Sequence, residues 1–316
     1  MKHLIGAAAA AALLIAGTAA SAQDEVVEDI HFLIPGGPGG GWDGTARGTG
    51  EALTKAGIVG NASFENMSGG GGGKAIAHLI ETDDAGVLMV NSTPIVIRSL
   101  QGVFPQSFRD LTPVAGIIGD YAALVVHTDS DIDDLGELMA ADNVAIGGGS
   151  VAGGMDHLVA ALVVKATGGD PVGVKYIPYD AGGKAMAGLL SGEIGALSTG
   201  LSEAIELARQ GEVRILCLTS EERVDATPDT PTCNEAGAEG ATFVNWRGFF
   251  GAPGLSDEQA AQYQEALAAM YETDAWVAVR DRNGWVEIFN SGDDFTAFLE
   301  GQEKEIGDLM RELGFL

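Results

Sequence analysis

Basic residues are scarce in this chain of 316 residues. Lysine and arginine together number 17 against 45 aspartates and glutamates, which gives a formal net charge of −28 at pH 7. Nucleic-acid binding needs a basic face for phosphate, so this balance argues against it. The acidic excess instead predicts a well-solvated surface, and any bound anion must be held by local dipoles that outweigh the global field.

Cysteine and histidine are also sparse. The five histidines are scattered without the spacing of metal ligands, so the sequence predicts neither a metal site nor a cofactor. Cys217 and Cys233 are the two cysteines. An even number in an exported chain permits a disulfide, which would join a strand at 213–218 to the loop near Pro231. The alternative is that Cys217 is a small buried residue on a strand.

Long apolar runs are absent beyond the N-terminus. Lys2 and His3 precede an apolar, alanine-rich run at 4–15, and Ala20-Ser21-Ala22 fits the small-x-small rule for signal cleavage. We therefore predict a signal peptide at 1–22, cleaved near Ala22, and a soluble, extracytoplasmic mature protein. An uncleaved anchor is the alternative, but the short apolar run and the small residues favour cleavage. No later segment has the length needed to span a bilayer.

Glycine, in contrast, is abundant, with 47 residues, and two glycine-rich loops stand out. The first covers 35–43 and follows a predicted strand at 30–34. The second covers 147–154 and follows a predicted strand at 144–146. Each joins a strand to a helix, where backbone N–H groups at the positive end of the helix dipole can hold an anion.

Strands and helices alternate along the mature chain, which predicts two α/β units. Apolar segments at 114–118 and 122–126 read as two strands that carry the chain into the second unit, and 172–177 reads as another. A strand at 243–250 returns the chain to the first unit. From Ser256 onward the pattern is helical, with predicted core residues Leu267, Met270, Trp276, Val277 and Val279. We expect two lobes, formed by 23–120 plus 244–316 and by 121–243, around a ligand cleft.

Nucleotide binding is an alternative for the glycine loops. Gly39-x-Gly41-x-x-Gly44 has the spacing of the dinucleotide fingerprint, with Glu65 near the position of the ribose acid. Export removes the chain from cytosolic cofactors, and Asp43 would lie among the phosphate oxygens. The run at 69–74 lacks the first glycine and the Ser or Thr of a phosphate loop. We expect that run to pack closely near the cleft or to be a flexible loop.

Hydrolysis and calcium binding are two further alternatives. Ser150 and His157 suggest a secreted serine hydrolase acting on small esters, but Ala152 replaces the second glycine of the nucleophile elbow. A helix cap or a ligand hydroxyl contact suits Ser150 better. The acidic run 129–134 lacks the glycine and the closing glutamate of a calcium loop, so we expect it to cap a helix at Leu135.

Trp42 and Asp43 each have two interpretations. Asp43 either caps a helix that starts there or binds a ligand hydroxyl or amine at the cleft, and both can hold. Trp42 is either a core residue or a wall of the pocket. Its position on the glycine loop favours the wall.

The motifs at these loops resemble those of one family. Ile34-Pro35-Gly36-Gly37-Pro38-Gly39-Gly40-Gly41-Trp42-Asp43 with Ala46-Arg47, and Glu65-Asn66-Met67 with the glycines at 69–73, are similar to the first-lobe segments of the solute-binding receptors of tripartite tricarboxylate transporters (TctC/Bug-like proteins). Second-lobe segments also resemble this family: Gly149-Ser150-x-x-Gly153-x-x-Asp156-His157-Leu158, Tyr176-x-Pro178-Tyr179-x-x-Gly182-Gly183 and Trp246-Arg247-Gly248. The resemblance covers nearly the whole mature chain in order.

The resemblance implies a monomeric periplasmic receptor with the two-lobed periplasmic-binding-protein fold, type II-like, in which each lobe is a mixed sheet flanked by helices. It further implies no catalysis, a small di- or tricarboxylate held by backbone amides of both lobes, and delivery to membrane permease subunits. The ligand-binding residues implied are Pro38, Gly39, Gly40, Gly41, Trp42, Asp43, Asn66, Ser92, Thr93, Ser150, Val151, Ala152, Gly153, Gly154, Tyr179, Asp180 and Ser198. The unusually pure glycine run at 69–73 departs from the family pattern, so we expect no ligand contact there.

Overall fold

The computed structural model describes residues 27–141 and 143–316, and the predicted signal peptide at 1–22 lies outside these ranges. The strands are β1 (Val27–Ile34), β2 (Val59–Asn66), β3 (Val87–Ser92), β4 (Thr112–His127), β5 (Ile146–Gly148), β6 (Tyr176–Pro178), β7 (Ala196–Gly200), β8 (Val213–Leu218), β9 (Val244–Gly251) and β10 (Val286–Ser291). The helices are α1 (Gly41–Lys55), α2 (Gly73–Thr82), α3 (Thr93–Leu100), α4 (Leu135–Ala140), α5 (Met155–Ala166), α6 (Gly182–Leu190), α7 (Leu201–Arg209), α8 (Asp257–Tyr271), α9 (Asp274–Asn283) and α10 (Asp293–Leu313).

The strands form two half-sheets that share β4. The first half-sheet has the order β2-β1-β3-β9-β4, with β10 also paired to β4, and the second has the order β6-β5-β7-β4, with β8 paired to β4. Tyr121 pairs with Val244 of β9, whereas the next residue, Ala122, pairs with Gly200 of β7. Both half-sheets mix parallel and antiparallel pairs. The predicted two-lobed α/β fold with mixed sheets is therefore confirmed.

β4 is longer than the sequence pattern indicated. The two strands predicted at 114–118 and 122–126 are one continuous strand. The polar Asp120 does not interrupt it, because its buried carboxylate accepts hydrogen bonds from Arg247 and Ser202. A buried charge that is paired in this way can lie within a central strand.

Two other predictions about local structure were wrong. The strand predicted at 172–177 is reduced to Tyr176–Pro178, because Asp170 Oδ1 accepts from Val172 N in a turn. The C-terminal segment is not wholly helical, since Gly284 ends α9 in the left-handed region (φ 67°) and β10 follows it. On α9, Trp276 and Val279 are buried as predicted, but Val277 is 37% exposed.

Helices pack on both faces of the sheets, and the fold is further held by a covalent link. Phe32 on β1 stacks on Phe64 of β2 with ring centroids 5.6 Å apart, and Trp276 lies against Trp285 in the same apolar cluster. Cys217 and Cys233 form a disulfide with their Cα atoms 4.8 Å apart. None of the helices within 27–141 and 143–316 is long and apolar enough to cross a membrane.

Candidate functional site

A cavity of about 150 Å³ lies where loops of the two half-sheets meet. This volume suits a ligand smaller than those that fill pockets of about 300–1,000 Å³. Both predicted glycine loops contribute to it. The lining residues are Pro35, Gly36, Gly37, Gly40, Gly41, Trp42, Ser68, Gly69, Gly70, Gly71, Gly72, Ser92, Pro94, Arg98, Gly149, Ser150, Val151, Gly154, Met155, Asp156, Tyr179, Asp180, Ala181, Gly182, Glu203, Asn245 and Arg247.

Five helices begin at this cavity. The N-cap residues of α1, α2, α3, α5 and α6 all line it, and none of these N-cap residues makes a side-chain capping hydrogen bond; they are Gly40, Gly72, Ser92, Gly154 and Ala181. In the first turn of α5, Ser150 accepts from Asp156 N in place of the N-cap side chain. By contrast, α4, α8 and α9 are capped by their own side chains, Asp134, Ser256 and Thr273, which lie elsewhere. Uncapped N–H groups and aligned helix dipoles make the cavity favourable for an anion.

The first glycine loop is held in shape by Asp43 rather than capped by it. α1 begins at Gly41, two residues earlier than predicted, so the prediction that Asp43 is the N-cap was wrong. The carboxylate lies in the first turn, where it accepts from Gly39 N at 3.0 Å, Arg47 Nε at 2.9 Å and Asn66 Nδ2 at 3.0 Å. Asn66 Nδ2 also donates to Gly36 O. Asp43 and Asn66 therefore fix the loop that presents Gly40 and Gly41.

Trp42 forms a wall of the cavity. Its indole Nε1 donates to Ser92 Oγ at 2.9 Å, which joins the first loop to the start of α3. The ring lies against two glycines, because a Cβ atom would be 3.0 Å from it at Gly36 and 3.6 Å from it at Gly72. Bulkier residues at these two positions would crowd the ring.

The second loop is organised around Ser150. Its hydroxyl accepts from Asp156 N at 2.9 Å and lies 3.2 Å from Tyr176 Oη, and Tyr176 Oη donates to Ser150 O at 2.7 Å. The first of these bonds is the helix-capping contact expected for Ser150. His157 Nδ1 instead accepts from Gly153 N at 3.0 Å, and its ring stacks on Tyr176. Ser150 and His157 are therefore engaged with other groups rather than arranged as nucleophile and base.

The two sides of the cavity are in direct contact. Gln101, at the end of α3, donates from Nε2 to Gly153 O at 3.0 Å. The loops that start α1 and α6 also meet, since a Cβ atom on Gly37 would be 3.0 Å from Ala181 Cβ and one on Gly183 would be 3.2 Å from Pro38 O. This is a closed arrangement in which small residues allow the loops to approach.

The buried charged side chains in the lining differ in how their charge is balanced. Arg247, 2% exposed, donates from Nη2 to Asp120 Oδ2 at 2.6 Å and from Nη1 to Thr45 Oγ1 at 3.1 Å. Burial, with a contribution from the nearby Glu203 carboxylate, raises the pKa of Asp156 to about 7. Burial likewise raises the pKa of Glu203. Asp156 is thus partly neutral near pH 7, which reduces its repulsion of a bound anion, and the raised pKa of Glu203 acts in the same direction.

About half of the sequence-predicted site residues line the cavity. They are Gly40, Gly41, Trp42, Ser92, Ser150, Val151, Gly154, Tyr179 and Asp180. The other predicted residues do not line the cavity. Pro38 and Gly39 are exposed beside Gly183, Asp43 and Asn66 brace the first loop, Thr93 and Ser198 are fully buried, and Ala152 and Gly153 belong to the second loop but lie outside the lining.

Several lining residues were missed by the sequence reasoning. Arg98, Asp156, Glu203 and Arg247 line the cavity. The glycines at 69–72 also line it, which agrees with the expected close packing near the cleft. Arg98 carried a signal, because it is the lone charge in the mostly apolar helix segment 93–100. Asp156 and Arg247 were noticed only as members of family motifs.

Comparison with known proteins resolves the family. The model of the tripartite tricarboxylate transporter family receptor matches residues 46–315. This chain belongs to that family. Within it, the receptor is 26% identical to a UPF0065 protein of Bordetella pertussis, over 96% of this chain and 95% of the relative. It is also 25% identical to the BugT protein of the same organism, over 95% and 94% of the two chains.

Solved structures show the same fold for this family member. The periplasmic binding protein BugD superposes with a TM-score of 0.82 at 19% identity, covering 91% of this chain and 98% of BugD. MatC from Rhodopseudomonas palustris, with bound malate, superposes with a TM-score of 0.79 at 20% identity, covering 90% of this chain and 99% of MatC. A second R. palustris protein, solved with adipate, superposes with a TM-score of 0.80 at 19% identity, covering 91% of this chain and 97% of that protein. The receptor therefore has the two-lobed fold of periplasmic binding proteins.

Proposed function

We propose that this receptor captures a small organic carboxylate in the periplasm and delivers it to the membrane permease subunits of a tripartite tricarboxylate-type transporter. The observation that carries the proposal is the meeting of five helix N-termini at one small cavity, with no side-chain cap at the starts of α1, α2, α3 and α6. Each N-terminus contributes partial positive charge and unsatisfied N–H donors, which suit a carboxylate. The malate and adipate bound by its structural neighbours agree with this ligand class.

Lobe closure is the proposed binding step. We assign the first lobe to 23–120 plus 244–316 and the second to 121–243. The change of β4 partners between Tyr121 and Ala122 supports a boundary within one residue of this position. Gln101 and Gly153 then join opposite lobes. A ligand that contacts both lobes binds the closed state preferentially and shifts the population toward it.

Within this proposal, the amides at the starts of α1, α5 and α6 grip one carboxylate, and Trp42 forms a side wall. Ser92, Ser150, Tyr179 and Asp180 supply further polar contacts from the lining. Asp43 and Asn66 act through the loop that they brace. We propose a monomer that needs no metal or cofactor. Within 27–141 and 143–316, no group of three or more histidine, cysteine, aspartate or glutamate side chains could hold a metal ion.

The direct test is thermal melting of the purified mature protein with citrate, succinate, malate, adipate, tartrate and amino acids. A ligand at 100 times its Kd stabilises the native state by about 2.7 kcal/mol. We expect a shift with at least one carboxylate and none with uncharged analogues. If no carboxylate shifts the melting and small esters are hydrolysed in a Ser150-dependent manner, the receptor proposal is wrong.

Tryptophan fluorescence locates the ligand. Trp42 lines the cavity, whereas Trp246, Trp276 and Trp285 are at most 4% exposed and lie in the core. We expect tryptophan fluorescence to change on ligand binding in the wild type and in Trp246→Phe. In Trp42→Phe this fluorescence change should be lost, although calorimetry should still detect binding.

A further inference from the structure

Arg98 is a buried cation in the cavity lining with part of its hydrogen-bonding capacity unused. It lies on α3, is 4% exposed, and donates from Nη1 to Gln101 Oε1 at 2.6 Å. Its Nη2 atom is buried and has no hydrogen-bond partner among the residues that the structure describes. A guanidinium carries five N–H donors and no acceptor, so an unpaired Nη2 requires an acceptor from outside the chain.

The charge of Arg98 is also uncompensated. Burial lowers the pKa of its guanidinium, and the Tyr176 phenol is the one group in 27–141 and 143–316 that opposes this shift. Arg247, the other arginine of the lining, differs because Asp120 pairs with it. A buried charge without a counter-charge is strongly unfavourable unless a ligand supplies one.

The surroundings of Arg98 are shaped to hold the guanidinium in place. Gly71 has a φ of 66°, and a Cβ atom there would lie 3.0 Å from Arg98 Nε, so glycine is needed both for the backbone and for the space. Gln101, which orients Nη1, is itself anchored to Gly153 O across the cavity. This accounts for part of the glycine purity at 69–73 that the sequence left unexplained.

Arg98 and the paired loops present positive charge from different elements of the lining. The starts of α1 and α6 lie against each other, with a Cβ on Gly40 only 3.6 Å from Gly182 N. Arg98 instead lies against Gly71 and Gln101. A ligand with two acidic groups can therefore satisfy both places at once.

We propose that Arg98 is the specificity-determining residue that binds a second acidic group of the ligand, so that this chain selects dianionic carboxylates over monocarboxylates. The proposal rests on the carboxylate-receptor function above. Nη2 of Arg98 donates to the distal carboxylate, while the helix N-termini hold the proximal one. Charge-assisted bonds of this kind are about twice as strong as neutral ones, and arginine suits carboxylate geometry.

Calorimetric titration with matched acid pairs tests the proposal. The pairs are succinate and butyrate, glutarate and pentanoate, and adipate and hexanoate, which differ within each pair by the second carboxylate. The proteins are the mature wild type, Arg98→Gln, Arg98→Lys, Arg98→Met and Arg109→Gln. Arg109 is an exposed arginine that pairs with Glu303 away from the cavity, so its variant is the matched control.

We expect the wild type and Arg109→Gln to bind the best diacid at least tenfold more tightly than its monoacid partner. In Arg98→Gln the ratio should fall to near one, with monoacid affinity kept within about threefold, and Arg98→Lys should retain part of the preference. An unchanged ratio in Arg98→Gln, or an equal loss for both acids, overturns the inference. If Arg98→Gln does not fold, the other two variants test the inference. It is overturned if Arg98→Met keeps the full diacid preference or if Arg98→Lys loses all binding of the monoacid. Failure of the wild type to bind any carboxylate instead contradicts the proposed function itself.

Discussion

Arg247 Nη2 donates to Asp120 Oδ2 at 2.6 Å, and both side chains are almost completely buried. Asp120 lies two residues before Ala122, where β4 changes its pairing from β9 to β7. Ser202 of α7 also donates to the Asp120 carboxylate at 2.6 Å. Arg247 in turn reaches Thr45 of α1. This one ion pair therefore joins elements of both half-sheets next to the cavity.

Loss of one partner of this buried pair should be far more costly than loss of one partner of an exposed pair. We expect Asp120→Ala to destabilise the protein by about 3–5 kcal/mol, because Arg247 would remain as an uncompensated buried charge. Glu303→Ala, which breaks an exposed pair with Arg109, should cost about 1 kcal/mol or less. Urea unfolding of the two variants measures the difference, and equal losses would contradict a special role for the buried pair.

The raised pKa of Asp156 predicts that anion binding weakens as pH rises. The carboxyl titrates at about 7 in the folded protein, against 3.8 ordinarily, because burial and Glu203 disfavour its charge. The titratable and charged groups that share the lining with it are Glu203, Tyr179, Asp180, Arg98 and Arg247. Below pH 7 Asp156 is neutral and tolerates an anion, and above pH 7 it repels one. Affinity should fall by up to about tenfold per pH unit above 7 in the wild type.

Asp156→Asn separates this effect from the rest of the molecule. The variant should bind with a flatter pH profile between 6 and 8, since the residue at position 156 no longer titrates and the raised pKa of Glu203 is unaffected. Folding stability gives an independent check. In the wild type the unfolded state releases the proton between about pH 4 and 7 while the folded state keeps it, so stability falls over that range. In Asp156→Asn this decrease in folding stability with rising pH should be absent. A wild-type ligand affinity that is constant from pH 6 to 8 would refute the argument.

The sequence predicted the parts of this site that depend on local chain chemistry. Glycine loops between strands and helices gave the position of Gly40, Trp42 and Gly154, because tight turns at helix starts leave a clear local pattern. The roles of Arg98 and Asp120 were not predicted, because they depend on contacts with residues that are distant in the sequence. β10 was missed for a similar reason, as it exists by pairing with β4 rather than by a strong pattern of its own.

The disulfide should stabilise the fold without affecting the cavity. Cys217 and Cys233 are separated by 16 residues, and neither lines the site. Closing a loop of this size contributes about 3 kcal/mol by restricting the unfolded chain. We expect Cys217→Ala with Cys233→Ala to lower the free energy of unfolding by about that amount while ligand affinity stays within twofold. The double variant should melt identically with and without dithiothreitol, whereas the wild type should not.

Gly40 and Gly41 are adjacent, yet substitutions there should act on different properties. A Cβ atom on Gly40 would lie 3.5 Å from Gly37 O, an ordinary contact, whereas one on Gly41 would collide with the Arg247 guanidinium. Gly40→Asp should keep the fold, because aspartate is a favoured N-cap, but its charge at the start of α1 should weaken carboxylate binding at least about 100-fold. Gly40→Asn, of the same shape without the charge, should bind much better than Gly40→Asp. Gly41→Ala should instead cost about 1–3 kcal/mol of stability. Calorimetry and urea unfolding of all three decide the matter, and equal affinity in Gly40→Asp and Gly40→Asn would mean that the α1 terminus does not face the anion.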